Sequence, residues 1–229
     1  MIELFELAGS DPDFRFSPYC WRIRMALAHK GLEPKTTPWR FHEKDRLPGA
    51  PMNRQVPVLV DGREVISNSS RIAFYLEDRY SNSPSLFGGP GGEAHVHFIV
   101  AWADTVLTAG LFPIIGPDVL AHLHPADRDY FRQSREKRLG MTLEQARAGR
   151  AARLAAFRES LAPLRHALQM QDFLGGDEPS YADYAVFGSF QWARCVSTQD
   201  VLAEDDSLRS WRSAMLDLFD GLAERALPG

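Results

Sequence analysis

Phe16-Ser17-Pro18-Tyr19-Cys20-Trp21-Arg22-Ile23-Arg24-Met25-Ala26-Leu27 is the stretch on which the reading of this 229-residue chain turns. Ser17 suits a helix N-cap, because its hydroxyl can accept from a free backbone N–H about one turn further on. Pro18 suits the first helical position, where φ is already set and no N–H partner is lost. Ile23, Ala26 and Leu27 recur at helical spacing, with Arg22 and Arg24 beside that stripe. A hydroxyl at a helix N-terminus, backed by the helix dipole, is a natural place for an anion, a thiolate included. An ordinary capped helix explains the same residues, so both readings stay open on this stretch alone.

Around it, Ile2 to Leu7 alternates apolar and acidic residues as a short strand does, and Ala8 to Phe16 reads as a loop. The helix from Pro18 runs to about Lys30 and stops at Gly31. Lys35 to Trp39 is a second strand, Phe41 to Leu47 one short helix, and Pro48 to Gln55 a loop. Val56-Pro57-Val58-Leu59-Val60, Asp61-Gly62 and Glu64-Val65-Ile66 form a hairpin, since Asp-Gly between apolar runs fits a tight turn. Ser67-Asn68-Ser69-Ser70 then caps a helix over Arg71 to Tyr80. The order β-α-β-(α)-β-β-α describes a small α/β domain over residues 1–80.

Residues 81–92, rich in Ser, Pro and Gly, read as a linker, and 93–229 as an all-helical domain. Pro113 and Pro117 should kink or split the helix that begins near Glu93. From Pro125 another helix carries five cations in eleven residues, Arg128 to Arg138, interleaved with Asp129 and Glu136. That mixture reads as a solvated face rather than an RNA-binding one. Further helices are expected over Ala151–Gln171, from the capping box Ser180-Tyr181-Ala182-Asp183 with Gly188 for close packing, and over Ser207–Arg225.

Composition narrows the function. Hydrophobic residues at 45% and charged residues at 24% are ordinary for a globular protein. A formal net charge of −4 gives no general attraction to nucleic acid or to an anionic membrane. The two cysteines, Cys20 and Cys195, make no disulfide framework and suit a reducing cytoplasm. No apolar run reaches the ~18 residues of a membrane span, and the first residues lack the pattern of a signal peptide.

Four features, in order, carry a family resemblance: Ser17-Pro18-Tyr19-Cys20, Gln55-Val56-Pro57-Val58-Leu59, Ser69-Ser70-Arg71-Ile72 before Tyr75-Leu76, and Pro179-Ser180-Tyr181-Ala182-Asp183. With them the chain resembles the cytosolic glutathione transferases over nearly its full length. Ser17 to Leu32, Pro38-Trp39-Arg40-Phe41 and Ser134 to Arg138 are most similar to a serine-type subgroup. That subgroup contains bacterial β-etherases and related fungal transferases.

The resemblance implies a thioredoxin-like domain followed by a helical one, glutathione as co-substrate, a hydrophobic electrophile as second substrate, a homodimer, and no metal. It implies that Ser17 donates to the glutathione sulfur and favours its thiolate. Pro57 matches a cis-proline, with Val56 offering its backbone to the cysteinyl part and Gln55 reaching the glycyl end. Ser69 and Ser70 match the pair at the γ-glutamyl end, but an acidic residue or Gln is usual where Ser69 stands. His42, with Arg40 and Lys44, is a candidate for the glycyl carboxylate, and Phe14, Tyr19 and Trp102 for the acceptor wall. Cys20 stands where thioredoxin-like redox proteins keep their second cysteine, and Ser17 replaces the first.

Three activities follow. The first is transfer of glutathione to an electrophile, β-aryl ethers included, where thiolate attack on the ether carbon releases a phenol and leaves a thioether. The second is a non-catalytic protein that binds glutathione or a hydrophobic ligand on the same scaffold, motivated by Ser69. The third is thiol-disulfide exchange through Cys20.

Overall fold

The structure, a computed structural model, describes residues 1–89 and 91–226. Pro90, in the expected linker, and 227–229 lie outside the described residues. Strands β1 (Ile2–Leu7), β2 (Lys35–Trp39), β3 (Val58–Asp61) and β4 (Glu64–Ser67) form one sheet in the order β2-β1-β3-β4. β1 runs parallel to β2 and antiparallel to β3, with Leu4 opposite Leu59 and Phe5 opposite Val58. The parallel pair needs a long crossover, which helix α1 (Pro18–His29) supplies. β3 and β4 close through the Asp61-Gly62 turn, where Gly62 takes φ 62°. The thioredoxin-like order β-α-β-β-β-α with helix α2 (Ser69–Arg79) is therefore as read, with a single 3-10 turn at Lys44–Arg46 for the short helix.

Two boundaries differ from the sequence reading. β3 begins at Val58, so Val56 and the cis Val56–Pro57 bond stand outside the ladder with no strand register. α2 begins at Ser69, and Asn68, at φ 77°, is its cap, accepting from the Ser70 and Arg71 N–H groups at 3.0 and 3.3 Å. Asn is among the residues that tolerate this left-handed backbone.

The helical domain comprises α3 (Gly92–Trp102), a wide π turn (Ala103–Thr108), α4 (Ala109–His122), α5 (Pro125–Leu139), α6 (Leu143–Ala148), α7 (Arg150–Ser160), α8 (Ala162–Ala167), α9 (Tyr181–Val196) and α10 (Leu208–Gly221). The helix expected over Ala151–Gln171 breaks at Leu161, just ahead of Pro163. Pro113 and Pro117 do not split α4. Each lacks one hydrogen bond, but the surrounding Leu111, Phe112, Ile114 and Ile115 are buried and hold the helix in place. Gly92–His122 thus runs through as one helix with a mean hydropathy of 1.8 over its best window. By length and composition it meets the requirement for a membrane span, contrary to the sequence reading, yet it packs on α9.

The expected linker is fastened down. Leu86 and Phe87 are buried, and the Tyr181 N–H donates to the Leu86 carbonyl at 2.7 Å. α9 is the centre of the core and α1 packs along it. Gly188 makes that approach possible, since a Cβ there would stand 2.5 Å from the Pro18 carbonyl. At the start of α9, the capping-box Asp183 is buried and accepts from the backbone of Leu174, Gly175 and Ser180 and from the Trp211 indole. This packing anchors the N-terminus of α1, and with it Ser17.

Candidate active site

A cleft of about 1070 Å³ opens between the two domains. Ser17, Gln55, Val56, Pro57, Ser69 and Ser70 all line it, brought together from the start of α1, the turn before β3 and the start of α2. Ser17 is 5% exposed, and its hydroxyl oxygen accepts from the Cys20 N–H at 3.4 Å. That contact uses a lone pair and leaves the hydroxyl proton for a partner in the cleft. An anion at this spot meets an O–H donor and the positive end of α1.

The Cys20 thiol is a different group. It is buried, and burial together with the Glu6 charge pushes it up to about 12. A thiol held protonated in the core is a poor nucleophile, so thiol-disulfide exchange through Cys20 is unsupported. Burial does the same to Cys195, also to about 12.

Other candidates fall elsewhere. His42 is absent from this cleft: its Nδ1 lies 2.9 Å from Asp127 Oδ1, and its ring packs on His124. Its backbone N–H donates to the same carboxylate at 2.8 Å, so His42 ties the β2 loop to α5. Arg40 is occupied by the Gly9 and Ser10 carbonyls. Phe14 is buried and Trp102 half-buried, and neither borders the cleft, whereas Tyr19 and Lys44 do.

The helical domain adds residues that the sequence reading passed over. Asp104, in the π turn, lines the cleft and pairs with the fully buried Arg22 at 2.8 Å. Among the described residues it is the only acidic one that lines this cleft. Tyr181, buried, faces Ser69 and Ser70 and lies in the field of Arg22 and Asp104; burial pushes its phenol up to about 12. Asp104 and the start of α2, Ser69 and Ser70, line the same cleft. A lone carboxylate inside a strongly apolar helix was the available signal, but only the wide turn aims it here. Arg135 and Arg138 of α5 also border the cleft, with Phe112 and Trp192 beyond them. Only part of that charged helix is a solvated face: Arg132 pairs outward with Glu136 and Glu144.

Among known families, the model described as glutathione S-transferase, C-terminal domain, matches residues 94–218, more than half of the chain. Its N-terminal counterpart matches residues 16–79. The chain belongs to the glutathione S-transferase family. A transferase structure from Ceriporiopsis subvermispora, solved in complex with glutathione, is 25% identical, covers 96% of both chains and has a TM-score of 0.77. Glutathione S-transferase U2 of Arabidopsis thaliana is 32% identical over 111 residues, 44% of this chain and 47% of its own length. Glutathione S-transferase U1 of the same plant is 28% identical over 182 residues, 74% and 64% of the two chains. The chain thus spans roughly half to two thirds of these curated relatives. Family membership fits both domains and the order of the cleft motifs within them.

Proposed function

We propose that this protein is a glutathione transferase: it binds glutathione in the interdomain cleft and delivers its thiolate to a hydrophobic electrophile. One observation carries the reading: the Ser17 hydroxyl, capping α1, opens into the same cleft as the unladdered Val56 backbone and Ser70. Those three points offer a donor for a sulfur, a backbone edge for an amide and a helix N-terminus for a carboxylate, the groups a tripeptide thiol carries. Ser17 donates to the sulfur. Val56 pairs with the cysteinyl amide, Ser70 takes the γ-glutamyl carboxylate, and Gln55 with Lys44 takes the glycyl end in place of His42. Asp104 supplies the negative charge for the γ-glutamyl ammonium that Ser69 does not.

A free thiol has a pKa of about 8.5, so only a few per cent is ionised at pH 7. Lowering it by one unit raises the reactive fraction nearly tenfold. The thiolate then attacks an electrophile held in line, and proximity supplies much of the remaining rate. For a keto β-aryl ether, the C–S bond forms as the C–O bond breaks, and the electron pair leaves with the phenolate. The balance is substitution, with no redox partner.

The test is mass spectrometry of products after incubation with glutathione and either chlorodinitrobenzene or a keto β-aryl ether. A thioether from the first supports transfer, and one from the second supports ether cleavage. Glutathione binding by calorimetry with no thioether from any electrophile would leave the non-catalytic reading. We also place a second copy on the outward face of α3, where Phe98 is 70% exposed within a strongly apolar helix. Sedimentation as a monomer at micromolar concentration would remove that placement.

A further inference from the structure

Charge is unevenly settled along α5. Arg132 meets Glu136 and Glu144, and those three side chains face outward. Arg135 and Arg138, one turn apart, have no carboxylate within ion-pair distance among the described residues, and both border the cleft. Like charges at this spacing repel by a few tenths of a kcal/mol in an exposed helix, and more where water is scarce. Arg135 is half-buried, with its guanidinium 5.0 Å from the Phe131 ring centroid and 5.7 Å from that of Phe41. Arg138 lies 5.2 Å from the Phe112 centroid. Burial, with Arg138 nearby, holds Arg135 below the usual guanidinium range. One half-buried and one exposed guanidinium, both seated on aromatic rings and without a carboxylate among the described residues, suit an anion at this wall of the cleft.

We infer that the cleft takes an aromatic electrophile bearing an anionic group, a carboxylate or sulfonate, with Arg135 and Arg138 holding that group above the aromatic wall. This rests on the transferase reading above and names the acceptor class for it. Of the anchors assigned to glutathione, Ser17, Val56, Ser70, Gln55 and Lys44 belong to the N-terminal domain and Asp104 to the π turn, whereas the two arginines lie on α5. A planar guanidinium suits a planar carboxylate by paired N–H donors, and stacks on rings as it does so.

The experiment uses the full chain and two acceptors that react by the same chemistry, chlorodinitrobenzene and chloronitrobenzoate. In each, the glutathione thiolate forms a C–S bond at the ring carbon that bears chlorine, and chloride leaves with the electron pair. The readout is the ratio of kcat/KM for the anionic acceptor to that for the neutral one, divided by the same ratio for the uncatalysed reaction. The wild type should give a corrected ratio of at least ~10, falling as salt is raised. Arg135→Gln together with Arg138→Gln should lower it by about 10- to 100-fold, the usual span for losing charge-assisted hydrogen bonds. Arg135→Lys should restore part of it. Should the double variant not fold, Arg138→Gln alone, at the exposed rim, gives the same readout at smaller amplitude.

A second arm does not depend on turnover: binding of chloronitrobenzoate to glutathione-free protein, by calorimetry, should weaken at least ~10-fold in the variants. The inference is overturned by a wild-type corrected ratio near one, by a ratio that the substitutions leave unchanged, or by a rise in the glutathione KM alike with both acceptors. The last result would assign the arginines to a glutathione carboxylate. Absence of thioether from either acceptor would instead remove the transferase reading, and the binding arm would then decide this one.

Discussion

Replacing Ser17 by alanine separates the two jobs its hydroxyl holds. As a cap it accepts from the Cys20 N–H at 3.4 Å, the long end of hydrogen bonding, so its loss belongs near the bottom of the ~0.5–2 kcal/mol range for caps. α1 is held besides by the Trp21 indole on the Arg15 carbonyl at 3.0 Å and by its seat along α9. Ser17→Ala should therefore fold and melt within a few degrees of the wild type. As a donor to sulfur, the hydroxyl makes a charge-assisted hydrogen bond worth about 1.5–3 kcal/mol. That equals roughly one to two pKa units on the bound thiol. At pH 7, where an unaided thiol is still about 3% ionised, the thiolate fraction, and with it kcat/KM, should fall about 8- to 25-fold.

The pH profile is the decisive assay. If Ser17 acts on the thiol, its removal shifts the rise of kcat/KM to higher pH by about one to two units, and the deficit shrinks above about pH 9, where the thiol ionises unaided. Ser17→Thr, which keeps the hydroxyl, should restore the wild-type profile in part. A deficit of the same factor at every pH would refute the argument, since it would mean that Ser17 positions glutathione without stabilising its thiolate.

Three more outcomes follow from the same geometry. The folded state keeps the Cys20 and Cys195 thiols neutral up to about 12, while in the unfolded chain they ionise near 8.5. Stability should thus fall as pH rises from about 9 towards 12, and a thiol reagent should titrate both cysteines at pH 8 only after denaturation; rapid labelling of the native protein would contradict the burial. Asp183→Asn turns one carboxylate oxygen into an N–H₂ that confronts at least two of the N–H groups now donating there, costing about 2–6 kcal/mol in urea unfolding, and a loss under about 1 kcal/mol would be incompatible with those bonds. Asp104→Asn should raise the KM for glutathione about tenfold while leaving that for a deaminated analogue nearly unchanged; an equal rise for both would show that Asp104 serves only Arg22.

Most of the scaffold was legible, for identifiable physical reasons. Ser17-Pro18 and Ser180 with Asp183 are local signals, because a cap and the helix it starts lie within one turn of each other. Asp61-Gly62 is local in the same way. Apart from the cap at Asn68, the misreadings were tertiary. Pro113 and Pro117 carry a breaking propensity that burial of their neighbours overrides. Asn68, rather than Ser69 or Ser70, is the cap because at φ 77° its side chain reaches forward to the Ser70 and Arg71 N–H groups. His42 looked like a ligand residue in a polar loop, but Asp127, distant in sequence, claims it. Arg135 and Arg138 look no different in sequence from Arg132, and only the docking of α5 against the cleft tells which of them has an outward carboxylate.

The same division runs through the site itself. Close to the reacting sulfur, the N-terminal domain offers neutral groups: the Ser17 hydroxyl, the Val56 backbone and the Ser70 hydroxyl. A neutral donor stabilises a thiolate without the full attraction a cation would exert, so the sulfur stays nucleophilic while its ionisation is eased. The helical domain brings whole charges to the cleft, Asp104, Arg135 and Arg138, which join Lys44 and Arg54 of the N-terminal domain. Charges act over longer distances and discriminate between ligands by sign. Activation is thereby built into one domain, and choice of partner into the other. A substitution in α5 or in the π turn should then change what the protein accepts, whereas a substitution at Ser17 changes how fast anything reacts.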